Sequence, residues 1–167
     1  FALERTQELL YAISEMITKN SDFPKVPIYL DSPLAIKITE VFKKHRELYD
    51  TDAKARTDLP FDFPGLKCTP ETEDSKEISK SDEPSIVIAG SGMCTAGRIR
   101  HHIRHGIENP LNTVLFVGYQ APSSLGRILL DGMKEIRMMG RVFDVKAEIQ
   151  RIGSFSAHAD QTGWTHW

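Results

Sequence analysis

Four short stretches of this chain carry residues whose types and spacing can do chemistry. The first is "GSGMCTAGR", residues 90–98, which follows the apolar run "SIVIA" and leads into a helix-like segment. A strand, a glycine loop and a helix start present backbone N–H groups to an anion. Counted from Gly90 the loop reads GxGxxxxG, two residues longer than the dinucleotide fingerprint GxGxxG. Counted from Gly92 it reads GxxxxG followed by Arg98-Ile99, where a P-loop needs Lys and then Ser or Thr. Both nucleotide patterns fail, leaving two readings open: a phosphate site, with Arg98 supplying charge, or a tight packing turn.

"GYQAPSSLGR" (118–127) repeats the device, with Ser123 or Ser124 as helix cap and Arg127 one turn in. "RIRHHIRH" (98–105) gathers three arginines and three histidines, Arg100 aligned with Arg104 and His101 with His105. An i, i+4 histidine pair suits zinc, but no Glu stands between them as in HExxH, and a solvated basic face is the plain alternative. "GSFSAHAD" (153–160) holds His158 beside Asp160 without a GxSxG elbow, so a structural and a catalytic histidine both remain open.

The elements that must position these stretches follow from the apolar pattern. Leu9, Leu10, Ile13, Met16 and Ile17 predict a helix over 5–19. "VPIYL" (26–30) predicts a strand, Ser32-Pro33 a capped helix start, and Leu34, Ile38, Val41 and Phe42 the buried face of a helix reaching Tyr49. Residues 51–83 form an irregular excursion rich in proline and acids, with one short helix from Thr69-Pro70. Buried strands follow at 85–90 and 113–119, each with a helix behind it (95–107 and 123–130). Apolar strands alternating with helices predict neighbouring parallel strands whose loops open on one sheet edge, Asp31-Ser32 facing it as well. "RVFDVKAEIQ" (141–150) alternates apolar and polar residues and predicts a strand paired antiparallel with "EIRMM" across Gly140-Arg141.

The composition bounds the function. The 167 residues carry 23 acids against 21 bases, so a nucleic-acid footprint must be local rather than global. Two cysteines outside any CxxC spacing argue against a disulfide framework and suit a reducing cytosol. No apolar run approaches a membrane span, and no signal peptide is visible. The chain reads as a segment of something longer, starting at Phe1 and stopping at "QTGWTHW".

Taken in order, "FALERTQELLY", "VPIYLDSPLA", "IVIAGSGMCTAGRIRHHI", "VLFVGYQAPSSLGR" and "GSFSAHADQ" resemble the β-CASP family of metallo-β-lactamase-fold nucleases, closest to its prokaryotic ribonuclease branch. The resemblance implies an α/β fold: a parallel-sheet, Rossmann-like, three-layer β-CASP domain over 1–134, with 51–83 as its excursion. Residues 135–167 would be an antiparallel hairpin and the return toward a metallo-β-lactamase domain. It implies that His158 matches the family's motif-B histidine at the zinc site, with motif A before Phe1 and motif C after Trp167. Ser91, Gly92 and Met93 would line the path of single-stranded RNA, and Ser123, Ser124 and Ser156 would surround its phosphates. The two zinc ions of the parent enzyme would be bound outside this chain, since HxHxDH is absent, and the fragment alone would bind no zinc and cleave nothing. Glu4, where many relatives have glycine before Arg5, is a modest departure. The resemblance further implies a cytoplasmic protein and allows a homodimer. A doubly wound nucleotide-binding module, or a non-catalytic relative serving as an assembly partner, are the alternatives.

Overall fold

A computed structural model describes residues 5–49 and 60–153. The chain divides into two compact units, Phe1–Ser91 with Gly97–Ile99, and Gly92–Ala96 with Arg100–Trp167.

In the first unit, α1 (Arg5–Lys19) precedes β1 (Ile28–Asp31), α2 (Pro33–Lys44) and a 3-10 turn (Arg46–Leu48). Then come β2 (Leu66–Cys68), α3 (Thr72–Lys80) and β3 (Ile86–Ala89). The three strands form a parallel sheet in the order β2-β1-β3, with Ile28 opposite both Leu66 and Ile86. The central strand is the most deeply buried, as its near-continuous apolar run requires. Leu10, Ile13, Ile28, Leu30, Ala35, Phe61 and Phe63 make the core. A fully buried side chain such as Leu30 contributes roughly 1.5–3 kcal/mol.

Local chemistry sets the start of α2. The Ser32 hydroxyl accepts a hydrogen bond from the Ala35 N–H at 3.3 Å, and Pro33 occupies the first helical position. The helix ends at Lys44 rather than Tyr49, and its buried face differs from the expected one. Leu34 and Val41 are exposed (60% and 54%), while Ala35 and Thr39 are buried. Thr39 belongs inside because its hydroxyl donates to Ala35 O and accepts from the Gln7 amide of α1 at 2.9 Å. The excursion is less irregular than its composition suggests: it supplies β2 to the sheet and Phe61 and Phe63 to the core.

The second unit contains most of α4 (Ile99–Gly106), then β4 (Thr113–Phe116), α5 (Leu125–Leu130), β5 (Glu135–Met138), β6 (Arg141–Asp144) and β7 (Glu148–Arg151). β5 and β6 form the expected antiparallel hairpin, Met138 opposite Arg141. Met139 and Gly140 both take positive φ (49° and 79°), the geometry that matches a two-residue turn to strand twist.

The strand expected over 141–150 breaks after Asp144. Lys146 and Ala147 N–H groups both donate to Ile107 O, and Glu148 N–H donates to Asn112 O at 2.8 Å. These bonds redirect the backbone, so β7 pairs parallel with β4, Thr113 opposite Glu148. Within its own unit β3 pairs with β1, and β4 pairs with β7. Ile103, Ile107, Phe116, Leu129, Ile136, Met138, Phe143 and Ala147 are buried in this unit.

Candidate functional site: two glycine loops and a buried aspartate

In the first unit the chemistry gathers at the carboxyl end of the parallel sheet. Asp31, the last residue of β1, is fully buried. Its carboxylate accepts from Thr69 Oγ1 at 2.8 Å, Ser75 Oγ at 2.6 Å and Arg98 Nη1 at 2.7 Å. Thr69 follows β2 and Ser75 lies in the first turn of α3, so both enter from the excursion. Arg98 also donates from Nη1 to Thr69 O and from Nη2 to Pro70 O at 2.8 Å. A buried carboxylate keeps its charge at tolerable cost only when so many donors point at it.

Asp31 thus lies inside the fold rather than open to the sheet edge, because three side-chain donors close over it. Arg98, expected at a phosphate, has its guanidinium turned onto Asp31 and two carbonyl oxygens.

The loop that carries Arg98 is closed on itself. Ile99 N–H donates to Gly90 O at 3.0 Å. Gly97 has φ +77°, and a Cβ there would overlap the Gly90 carbonyl oxygen. Glycine at 97 is therefore required twice, by its backbone angle and by the close approach of Gly90. Ser91 is half-buried at the end of this unit.

The middle of the same loop belongs to the second unit, and there it meets the loop after β4. Gln120 Nε2 donates to Gly92 O at 2.8 Å and lies 3.3 Å from Gly118 O. Gly126 N–H donates to Met93 O at 3.2 Å. The 92–96 segment and the 118–127 loop are thus brought together through Gly92, Met93, Gln120 and Gly126. Gly92 is exposed and Met93 half-buried.

The two serines of the second loop are distinct. Ser124 is 6% exposed and caps α5, accepting from Arg127 N–H at 3.2 Å and donating to Ala121 O at 2.8 Å. Ser123 is exposed and takes φ +67°. Arg127 reaches solvent and pairs one turn along with Asp131 at 2.9 Å. Cys94 is 2% exposed, and burial pushes its thiol up to about 12.

On α4, His101, Arg104 and His105 are exposed, and the His105 ring lies 2.7 Å from His101 O. Among the described residues no group of His, Cys, Asp and Glu could hold a metal ion. Likewise, no described helix is long and apolar enough to cross a membrane. Ser156 and His158 lie outside the described residues.

Thr69 and Ser75 lay in no sequence motif, and Gln120 and Gly126 lay within "GYQAPSSLGR" with no role of their own. The available signal was weak: an aspartate closing an apolar strand needs donors, and a lone Gln among small loop residues needs carbonyls.

Comparison with known proteins finds a family and relatives over most of the chain. A family model described as the Beta-Casp domain matches residues 6–129. Ribonuclease TTHA0252 of Thermus thermophilus is 35% identical over 170 residues, covering 100% of this chain and 39% of that protein. Transcription termination factor FttA of Methanosarcina mazei is 31% identical over 96% of this chain and 26% of its own length. Its counterpart from Thermococcus kodakarensis is 30% identical with the same coverage. The chain spans well under half the length of these relatives.

Proposed function

This chain belongs to the β-CASP family, and from that premise we propose that it is the RNA-holding segment of a zinc-dependent, metallo-β-lactamase-fold ribonuclease. The observation that carries the reading is the junction of the two glycine loops, Gly92 O on Gln120 and Met93 O on Gly126 N–H. It brings Gly92 and Met93 against the 118–127 loop that carries Ser123, and a glycine there lets a sugar–phosphate chain approach the backbone closely. Single-stranded RNA is the proposed ligand, and a similar relative is named a ribonuclease.

The proposed roles differ from residue to residue. Ser91, Gly92, Met93, Ser123 and Ser156 line the RNA path. Ser124 shapes the second loop by capping α5, and within the first unit Arg98 braces its own loop on Asp31. Arg127, exposed one turn into α5, offers charge to the backbone. His158 holds or delivers a proton at the scissile phosphate. Zinc, when bound, would supply Lewis-acid activation at the phosphodiester, and among the described residues no group of His, Cys, Asp and Glu could hold it. Its ligands are assigned to the metallo-β-lactamase domain, the chain's proposed partner within a cytoplasmic enzyme.

The test is His158→Ala in the whole protein, with cleavage and affinity for a short single-stranded RNA measured together. Loss of a general acid should lower cleavage by roughly 100-fold or more while affinity holds. Unchanged cleavage removes His158 from the mechanism. Thermal stabilisation by ATP or NAD with none by RNA would favour a doubly wound nucleotide-binding module instead.

A further inference from the structure

Gln120 is 4% exposed, yet it sits in a loop of small and polar residues. Its amide nitrogen faces two carbonyl oxygens, Gly92 O and Gly118 O, which fixes which end of the amide is the donor. Its amide oxygen, Oε1, is buried and has no hydrogen-bond partner. A buried acceptor left unpaired is costly, and a fold retains one where something else is gained.

The oxygen points at α5. A Cβ built on Gly126 would overlap Oε1 and come within 2.8 Å of Gln120 Cδ. Gly126 is itself 3.2 Å, through its N–H, from Met93 O. The missing side chain at 126 therefore leaves room for the Gln120 amide, which in turn holds Gly92. Two consecutive carbonyls of the first loop, at 92 and 93, are gripped by two groups of the second loop that touch each other.

We propose that Gln120 is a positioning residue: threaded over Gly126, it registers the 92–96 segment against the 118–127 loop, so that both follow one RNA backbone. This deepens the function proposed above and rests on it. Gln120 contacts no RNA itself. It acts through Gly92 and Met93, and Gly126 is glycine to let it pass.

The alternative reason for glycine at 126 is Phe116, whose Cε1 lies 2.9 Å from the same built Cβ. A double-mutant comparison separates the two. In the whole protein, Gly126→Ala and Gln120→Met should each weaken binding of a short single-stranded RNA about tenfold, raising KM while kcat holds. Gln120→Met keeps the volume but loses the donor. In Gln120→Ala the space over residue 126 is empty, so adding Gly126→Ala should cost almost nothing further.

Amide exchange over 92–96 is the second readout, and it should rise in Gln120→Met while α5 stays protected. If Gly126→Ala costs as much in the Gln120→Ala background as in the wild type, Phe116 explains the glycine and the proposal is overturned. Unchanged exchange over 92–96 in Gln120→Met overturns it as well. Faster exchange with unaltered RNA affinity in every variant would instead refute the RNA path on which the proposal stands.

Discussion

Arg98 and Asp31 form an ion pair at 2.7 Å inside the first unit, the aspartate side chain 0% exposed and the arginine 16%. Sixty-seven residues separate them in the chain, so the pair fastens the loop after β3 to the end of β1. Asp31→Ala removes the carboxylate partner of the Arg98 charge and the acceptor of the Ser75 hydroxyl, while Arg98 keeps the Thr69 and Pro70 carbonyls and Thr69 keeps Leu30 O. Breaking one side of a buried pair costs about 3–5 kcal/mol, and urea denaturation should show a loss of that order. A loss under about 1 kcal/mol, the range of a surface pair, would mean solvent already screens the bond.

Two glycines with similar backbone angles give a matched test of close approach. Gly97 (φ +77°) faces the Gly90 carbonyl, whereas Gly132 (φ +80°) has nothing within 4 Å of a built Cβ. Gly132→Ala should cost only the left-handed strain, about 1–2 kcal/mol. Gly97→Ala adds an overlap with backbone and should cost clearly more. Equal losses in thermal or urea unfolding would contradict the closed form of the 90–98 loop.

The cysteines should differ in reactivity. Cys68 is exposed, although partial burial raises its thiol somewhat, and Cys94 is buried with its thiol raised to about 12. Only the thiolate alkylates readily. Iodoacetamide followed by peptide mass spectrometry should label Cys68 in the native protein and Cys94 only after unfolding, even at pH 9. The sign of the linkage follows from the raised value. The Cys94 contribution to stability is intact below the ordinary 9.0 and is lost as pH rises from there through about 12.

Exposed arginines should set the salt dependence of RNA binding. Each phosphate contact on a single strand contributes roughly 0.7 to the log–log slope. Arg104→Gln on α4 and Arg127→Gln on α5 should each reduce the slope by about that amount in fluorescence titrations. A slope that stays the same marks the replaced arginine as part of a solvated face.

Much of the scaffold was legible in the residues because its rules are local. The period of Leu10 and Ile13 marked α1 and Ser32-Pro33 marked the start of α2, and the expected hairpin forms with its turn at Met139-Gly140, one residue before Gly140-Arg141. Exposure of Leu34 and Val41 was not legible, since a helix's apolar stripe does not say which part of it a neighbour covers. The division of 141–150 was hidden for a related reason. Its alternation is intact, and what breaks it are carbonyls at Ile107 and Asn112, more than thirty residues earlier.

The candidate site divides in the same way. Glycine loops and their serine cap could be read from type and spacing, and Ser124 caps α5 as expected. The partners of Asp31 come from 38, 44 and 67 residues away, a juxtaposition no local pattern encodes. Arg98 was assigned to a phosphate because charge after a glycine loop suggests it. A buried carboxylate within reach competes for the same guanidinium, and that carboxylate was invisible until the sheet placed it.

The central claim, that the two joined loops hold RNA, is tested most directly by mapping where RNA touches the protein. A short single-stranded RNA carrying 4-thiouridine, irradiated with the whole protein and analysed by peptide mass spectrometry, should leave adducts on peptides 91–98 and 118–127. Half-buried Met93 and exposed Tyr119 are the expected acceptors. Adducts confined to other peptides, with both loops clean at saturating RNA, would contradict the account.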